Sequence, residues 1–487
     1  MKYFNLTIII VLSILVGCSA PSADITILHW NDFHSHNIEW IPTNHNPEKH
    51  AVGGYANFDA YLDSLAKVYP GAIKVHAGDD FQGSPTCAIT KGVSQIEILN
   101  EVQPDFFTIG NHEFDYSWKF LDSLRMNLAE FGMYAANLVD PESGESPTPR
   151  FRIFLRKGYR VALIALTSPY LYELTLPSNL DGVEVADPIE TAKELVETLS
   201  SRGIDLFVAV THMGIGMDRR LAEAVPEIDL IVGGHSHTYM REAEQVNGVW
   251  IVQADDHGRY VGVTNFHVEN GEITELNMDY VETIAGKLTP SKDVADVVDK
   301  YESEIAEAMN ETIGTLERAW IRGGDESNLG NWIADAFREA TGADIAMMNN
   351  GGIRKNLDAG PIKVRDIWEI SPFGNTLVTF EWSGNDLVQA LDYMAKQGRS
   401  MQISGMDVML DRKDGLIDIL INKAPVDPEK TYTICLNNYS ASQSEKYFGK
   451  KLEVMDETGL IDRDVLIDAV RKKPIINSEI EGRFIIL

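Results

Sequence analysis

The sequence predicts an α/β protein, and three observations carry that reading. Five short apolar runs, residues 25–28, 73–75, 106–109, 206–210 and 230–232, have the length and composition of buried strands. Each run ends in a polar turn: Asn31-Asp32-Phe33-His34, Gly78-Asp79, Gly110-Asn111-His112-Glu113-Phe114-Asp115, Thr211-His212 and Gly233-Gly234-His235-Ser236-His237. The chain of 487 residues is 44% apolar, enough for two cores, and its length suggests two or three domains.

From the N-terminus, the first expected element is an address. Met1-Lys2 is a minimal basic start and residues 6–15 are apolar but short for a membrane span. Leu15-Val16-Gly17-Cys18 reads as a lipobox. Residues 1–17 are therefore expected to be a lipoprotein signal peptide and Cys18 the lipidated mature N-terminus, tethering an exported body to a bacterial envelope. An ordinary secretory signal would also export the chain. Only Cys87 and Cys435 remain, in different expected domains, so no structural disulfide is anticipated.

The polar turns carry the chemistry. In open α/β sheets ligands bind beyond the carboxyl ends of the strands, so the five turns are expected on one edge of one sheet. His, Asp and Asn suit borderline divalent ions such as Zn²⁺, Mn²⁺, Fe²⁺ or Co²⁺. Two such ions need a bridging carboxylate to hold them together against their repulsion. Asp79 is the expected bridge, since Gly78 frees the backbone to turn after the strand. Asp32, His34 and His237 are assigned to one ion, and Asn111, His212 and His235 to the other. The i, i+2 spacing of Asp32/His34 and His235/His237 would place both side chains of each pair on one side of an extended backbone. Any one turn alone reads more plainly as a capping Asp or Asn with a loop histidine.

Taken in order, Asn-Asp-x-His, Gly-Asp, Gly-Asn-His-Glu-Phe-Asp, Thr-His and Gly-His-Ser-His resemble the calcineurin-like metallophosphoesterases. Asp115 narrows the resemblance to the 5′-nucleotidase family, which includes bacterial UDP-sugar hydrolases. It implies a four-layer α/β/β/α catalytic domain, a smaller α/β substrate-binding domain, and a His112–Asp115 dyad beside the metals. A carboxylate-paired His⁺ could stabilise the charge of a phosphoryl transition state. Glu113 is read as structural.

Further along, the strand signals at 249–252 and 262–268 and the hairpin turn Asn270-Gly271 extend the first domain to about residue 285. The expected division is 18–285 catalytic, 286–310 linker helix, and 311–487 substrate-binding. The helix at 291–309 is polar, with few candidate core positions, and reads as a connector. Asp255-Asp256-His257-Gly258 is expected to support the metal ligands, with His257 structural.

The second half holds Asn328-Leu329-Gly330-Asn331, Asn349-Asn350-Gly351-Gly352-Ile353-Arg354 and Ser371-Pro372-Phe373-Gly374. The glycines after the strand at 345–348 would let a ligand approach Asn349 and the backbone, while Arg354 offers a planar fork to phosphate. The resemblance assigns Arg354 to substrate binding, Phe373 and Tyr439 to an aromatic clamp on the base, and Glu445 to the ribose. Arg322 is a second candidate for the phosphate. The family's Gly-Gly-Asp-Gly-Phe stretch is replaced here by Ser442-Gln443-Ser444-Glu445-Lys446-Tyr447-Phe448-Gly449.

The formal charge of −31 makes nucleic-acid polymers poor partners, yet a small anionic nucleotide can bind where metals and arginines invert the field. The expected activity is hydrolysis of nucleoside 5′-monophosphates to nucleoside and phosphate. Alternatives on the same metals are a 2′,3′-cyclic-nucleotide phosphodiesterase, a UDP-sugar or NAD pyrophosphatase and, less well matched, a thiosulfate-ester hydrolase. A surface binding protein without turnover is the contrasting class, and the intact dyad and ligand set argue against it.

Overall fold

A computed structural model describes residues 22–42, 46–411, 413–452 and 456–487; the signal segment and Cys18 lie outside them. In chain order the first half forms β1 (Ala23–Trp30), α1 (Tyr55–Val68), β2 (Ile73–His76), α2 (Val93–Val102), β3 (Phe106–Thr108), β4 (Met133–Tyr134), β5 (Phe151–Arg156) and β6 (Tyr159–Thr167). It continues with α3 (Pro188–Ser200), β7 (Leu206–His212), α4 (Ile215–Ala224), β8 (Leu230–Val232), β9 (Glu244–Val246), β10 (Val249–Val252), β11 (Tyr260–Glu269) and β12 (Glu272–Glu282).

These strands make two six-stranded sheets, ordered β12-β11-β1-β2-β3-β4 and β9-β10-β8-β7-β6-β5. The period-two alternation of the strands explains how they stack. Ile25 and Ile27 of β1 meet Val161 and Leu163 of β6, Val208 and Val210 of β7 and Leu230 of β8 in one core between the sheets. The alternate residues face outward: Leu28 and Trp30 pack with Phe58, Leu62 and Leu99 of α1 and α2, and Ile164, Ala209 and Ile231 pack with Leu195 of α3 and Leu221 of α4. Both faces of the central strands are therefore buried, and their sequences read as unbroken apolar runs. The result is the expected α/β/β/α stack.

The expectation of one sheet edge is corrected by this arrangement. The Asp32, Asp79 and Asn111 turns leave β1, β2 and β3 of one sheet, whereas the His212 and His235 turns leave β7 and β8 of the other. Because β1-β2-β3 and β7-β8 are internally parallel, their carboxyl ends converge at the seam between the sheets.

Helix α5 (Lys292–Met309) is more than a connector. Val294, Val298 and Tyr301, at i, i+4 and i+7, form a buried stripe, and the two valines join the core beneath α1 and α2. Met309 enters a core of the second half. Three apolar positions at helical spacing suffice to dock a helix whose other faces are charged.

The second half contains a five-stranded sheet, built from β13 (Ile345–Asn349), β14 (Thr376–Ser383), β15 (Met401–Ser404), β16 (Thr431–Asn437) and β17 (Asp456–Ile461) in the order β15-β13-β16-β14-β17. β13 and β16 pair in parallel, so the 349–354 and 438–447 segments emerge side by side. Cys87 and Cys435 are free and buried in separate cores. No helix among the described residues is long and apolar enough to cross a membrane.

Candidate metal centre and substrate cleft

The turns after the strands bring their side chains to one point. Asp32 Oδ1 lies 3.3 Å from His237 Nε2 and 3.8 Å from His34 Nε2. Asp79 Oδ2 lies 3.0 Å from His212 Nε2. Among the described residues four donor groups have their ligand atoms within 4.8 Å of one another; Asp32/His34/His237 and Asp79/His212/His235 match the expected pair, and His34/Asp79/His112 and His237/Asp256/His257 overlap them. The expected pair adjoins, since His212 Nε2 is 3.9 Å from Asp32 Oδ1. The mechanism of convergence differs from the extended pairs expected: Asp32, His34, His235 and His237 have φ of 50°, 48°, 74° and 49°. These left-handed residues curl the loops back over the seam, a conformation that non-glycine residues adopt at a cost of order 1–3 kcal/mol each.

The donor set fits divalent ions. Asn111 Oδ1 is buried without a hydrogen-bond partner, while Asp32 Oδ1 and His212 Nε2 face other members of the donor set, His237 and Asp79, a crowding of buried donors that is expensive unless a cation belongs there. His34 Nε2 and His237 Nε2 face each other at 3.0 Å. The ring orientations agree: His212 donates from Nδ1 to the Ala77 carbonyl at 2.7 Å, and His237 donates from Nδ1 to Asp256 at 2.7 Å, leaving each Nε2 for a metal. Asp256 thus supports a ligand as expected, while His257 packs its ring 3.9 Å from that of His36. Burial lowers the pKa of His212 and His237, but Asp79 and Asp32 respectively outweigh it, raising them to about 9 and about 10. Metal binding at these nitrogens would release protons.

Several supports escaped the sequence reading. Asn31 donates to both Asp32 Oδ2 and the Asp255 carbonyl at 2.7 Å, tying two loops together, and Thr211 donates to buried Asp218 at 2.6 Å. Beside Asp79, Asp80 is held by Gln95 of α2 at 2.9 Å, by His76 at 3.2 Å and by the Tyr55 hydroxyl of α1. Asn31 and Thr211 stand inside the polar turns without marking what they hold, while Gln95 and Tyr55 lie 15 and 25 residues from Asp80, where no local motif points to them.

Glu113 has the structural role expected of it. Its fully buried carboxylate accepts backbone N–H groups from Asp79 at 3.1 Å, Asp80 at 2.8 Å, Phe81 at 3.1 Å and Gly110 at 2.7 Å. Burial first, then the Asp79 charge, pushes its pKa up to about 7. Glu113→Gln is expected to cost about 1–3 kcal/mol, because the new amide sets a donor against backbone donors. Thermal melting of the variant tests this; an unchanged melting temperature would remove Glu113 from the scaffold.

The dyad forms beside the donor groups. His112 Nδ1 donates to Asp115 Oδ2 at 2.8 Å, and His112 Nε2 is 4.0 Å from Asp79 Oδ2. The His112 backbone N–H also donates to Asp79 Oδ1 at 2.8 Å. Burial would lower the His112 pKa, but Asp115 and Asp79 outweigh it and raise it.

Across from the dyad, the second half closes a cleft of about 1470 Å³ lined by both halves. The Phe373 ring stacks near that of His112, centroids 5.6 Å apart and planes 27° apart. The Arg354 guanidinium lies 5.9 Å from the Phe373 centroid. Burial and neighbouring Arg322 lower the Arg354 pKa while Asp79, Asp115 and Asp32 oppose them, which sets Arg354 in the field of the metal donors. Arg322 reaches the same cleft, donating to the Ile353 carbonyl at 3.0 Å. Asn328 orders its segment by accepting the Ile321 N–H at 2.9 Å. Asn349 lines the cleft and accepts from Asn437 at 3.0 Å, joining the ends of β13 and β16.

Tyr439 also lines the cleft, its hydroxyl donating to the Glu173 carbonyl of the first half at 2.6 Å. Glu445 is not brought there. On α8 (Ser444–Phe448) the buried Ser444 and Phe448 define the inner face, and Glu445 projects into solvent while Tyr447 lines the cleft. Helical periodicity thus corrects the placement of the expected ribose contact.

Comparison with known proteins agrees with this geometry. Residues 25–239 match the calcineurin-like phosphoesterase family model, and residues 305–450 match that of the 5′-nucleotidase C-terminal domain. Protein UshA of Escherichia coli (strain K12) is 29% identical over 513 residues, covering 92% of this chain and 91% of that protein. A 5′-nucleotidase of Vibrio parahaemolyticus is 26% identical over 532 residues, covering 94% and 92%. The crystal structure of a 5′-nucleotidase precursor from Thermus thermophilus superposes with a TM-score of 0.85 at 26% identity, covering 96% of this chain and 99% of that one. With both domains matched in this order and relatives aligned over nearly its whole length, the chain belongs to the calcineurin-like metallophosphoesterases that carry a 5′-nucleotidase C-terminal domain.

Proposed function

We propose that the protein hydrolyses nucleoside 5′-monophosphates to nucleoside and phosphate, using two divalent ions held by Asp32, His34, Asp79, Asn111, His212, His235 and His237. One observation carries the reading: Phe373 and Arg354 of the second half stand at the His112–Asp115 dyad, beside the metal donors. When bound, the metals would neutralise phosphoryl oxygens and make water a competent nucleophile at neutral pH. Asp115 keeps His112 protonated and oriented, so that Nε2–H points to the phosphoryl group and stabilises its charge in the transition state. Arg354 and Arg322 bind phosphate oxygens, and Arg354 does so as a planar fork. Phe373 offers its ring to the base, with Tyr439 as the second aromatic wall. Water attacks phosphorus in line as the 5′ oxygen departs, with no phosphoenzyme.

The cleft volume of about 1470 Å³ exceeds the roughly 300–1,000 Å³ of ordinary small-molecule sites. That room favours pyrophosphate-linked nucleotides such as UDP-sugars or NAD as a second reading. We further assign residues 18–285, 286–310 and 311–487 to catalytic, linker and substrate-binding parts. The signal pattern and Cys18 spacing support an exported, lipid-anchored protein of the cell envelope.

The test is phosphate release from AMP, UMP, UDP-glucose, NAD and 2′,3′-cyclic AMP, with Mn²⁺ or Zn²⁺ and with chelator; the last three are assayed with and without added monoesterase. Release from AMP or UMP that chelator abolishes and metal restores is the expected result. Metal-loaded protein inactive on the whole panel would sink the nucleotide reading.

A further inference from the structure

We propose that Asp462 and Arg463 are positioning residues for nucleotide recognition: they clamp the 371–375 loop from below and so set the tilt of the Phe373 ring. The inference rests on the reading of Phe373 as the platform for the base.

The loop connects α7 (Val364–Ile370) to β14. The turn from β17 into α9 (Asp462–Lys472) holds it. Asp462 is fully buried, and its backbone N–H donates to the Asn375 carbonyl at 2.8 Å. Its carboxylate accepts the Arg463 N–H at 2.6 Å through Oδ1, while Oδ2 is buried without a hydrogen-bond partner.

Arg463 fills the space under the loop. Its guanidinium carbon lies 3.8 Å from the Trp368 ring centroid, and Nη1 lies 3.4 Å from the Pro372 carbonyl. Gly374 has φ of +64°, and a Cβ there would stand 2.8 Å from Arg463 Nη1. The absence of a side chain at Gly374 lets the guanidinium sit against the loop backbone on either side of Phe373, between it and the Trp368 face. A planar cation held on a ring suits this place, and lysine lacks its shape.

The phosphate fork is anchored outside the loop. The Arg354 backbone N–H donates to the carbonyl of Ile370, the last residue of α7, at 2.9 Å. The fork is therefore tied to the helix, and the loop that Arg463 touches carries the base platform alone. A clamp of this kind should act on substrates with a base and be indifferent to those without one.

The experiment uses the metal-loaded full chain, the single variants Arg463→Met, Arg463→Lys and Phe373→Ala, and the Arg463→Met/Phe373→Ala double variant. AMP is compared with ribose 5-phosphate, and adenosine affinity is measured as a binding readout. Arg463→Met should raise KM for AMP and weaken adenosine binding by about tenfold each, the scale of a partly lost stacking contact. It should leave kcat and KM for ribose 5-phosphate within about twofold, since that substrate has no ring system to stack. Arg463→Lys should recover part of the loss, and adding Arg463→Met to Phe373→Ala should not worsen KM for AMP further.

Equal losses on both substrates, or additive effects in the double variant, would make Arg463 merely structural and overturn the proposal. If Phe373→Ala raises KM for AMP while Arg463→Met does not, the clamp alone fails. A Phe373→Ala variant with unchanged KM for AMP sinks both the clamp and the base-platform reading. Asp462→Asn is a parallel variant; if it does not fold, the Arg463 variants decide the matter.

Discussion

Replacing His112 by alanine is expected to lower kcat for a nucleoside monophosphate by roughly 10²–10³-fold, the scale of losing one preorganised charge stabiliser, with metal content unchanged. The geometry separates these effects. The His112 ring is anchored through Nδ1 to Asp115, while its backbone N–H serves Asp79 Oδ1. Truncating the ring removes the group that faces the phosphoryl site and keeps the backbone contact that positions the metal donor. Elemental analysis beside turnover measurements checks both halves of the expectation. A variant that lost its metals would assign the ring to coordination, and one with unchanged kcat would remove it from catalysis.

Asp79→Asn is the second large effect. Asp79 Oδ2 lies 3.0 Å from His212 Nε2, and Oδ1 takes the His112 N–H at 2.8 Å, so one carboxylate touches the second donor group and the dyad together. Asparagine matches its size but lacks the charge that, in the proposed two-metal site, would hold two cations close. Turnover should fall on the order of 10⁴-fold, as when a charged member of a catalytic unit is removed. Bound metal should drop by at least one ion per chain, while circular dichroism stays native. Retention of both metals with near-normal turnover would exclude Asp79 as the bridge.

The two expectations differ in how far the sequence alone could reach. The Asp79 turn was legible because a short apolar strand, Ile73–His76, is followed after Ala77 by a glycine and then a carboxylate. Such a turn can be read from neighbours in sequence. The position of Phe373 against His112 could not be read this way, since the two residues lie on different halves and no periodicity connects them. Glu445 shows the converse failure. It follows β16 within a few residues, but its side chain obeys the helix, and α8 buries Ser444 and Phe448 instead.

The strands and the polar turns at their ends are written locally, by residues within a few positions of one another: a short apolar run makes a buried strand, and glycine with His, Asp or Asn ends it in a donor-rich turn. Long-range packing alone settles that the donors come from two sheets, that Glu113 caps four backbone donors, that Asp256 orients His237, and that Arg463 lies against the Phe373 loop. These contacts arise because burying both faces of each sheet and docking α5 into both cores bring distant loops to one cleft. Nothing in a short stretch of chain specifies which of its many polar neighbours that packing will deliver.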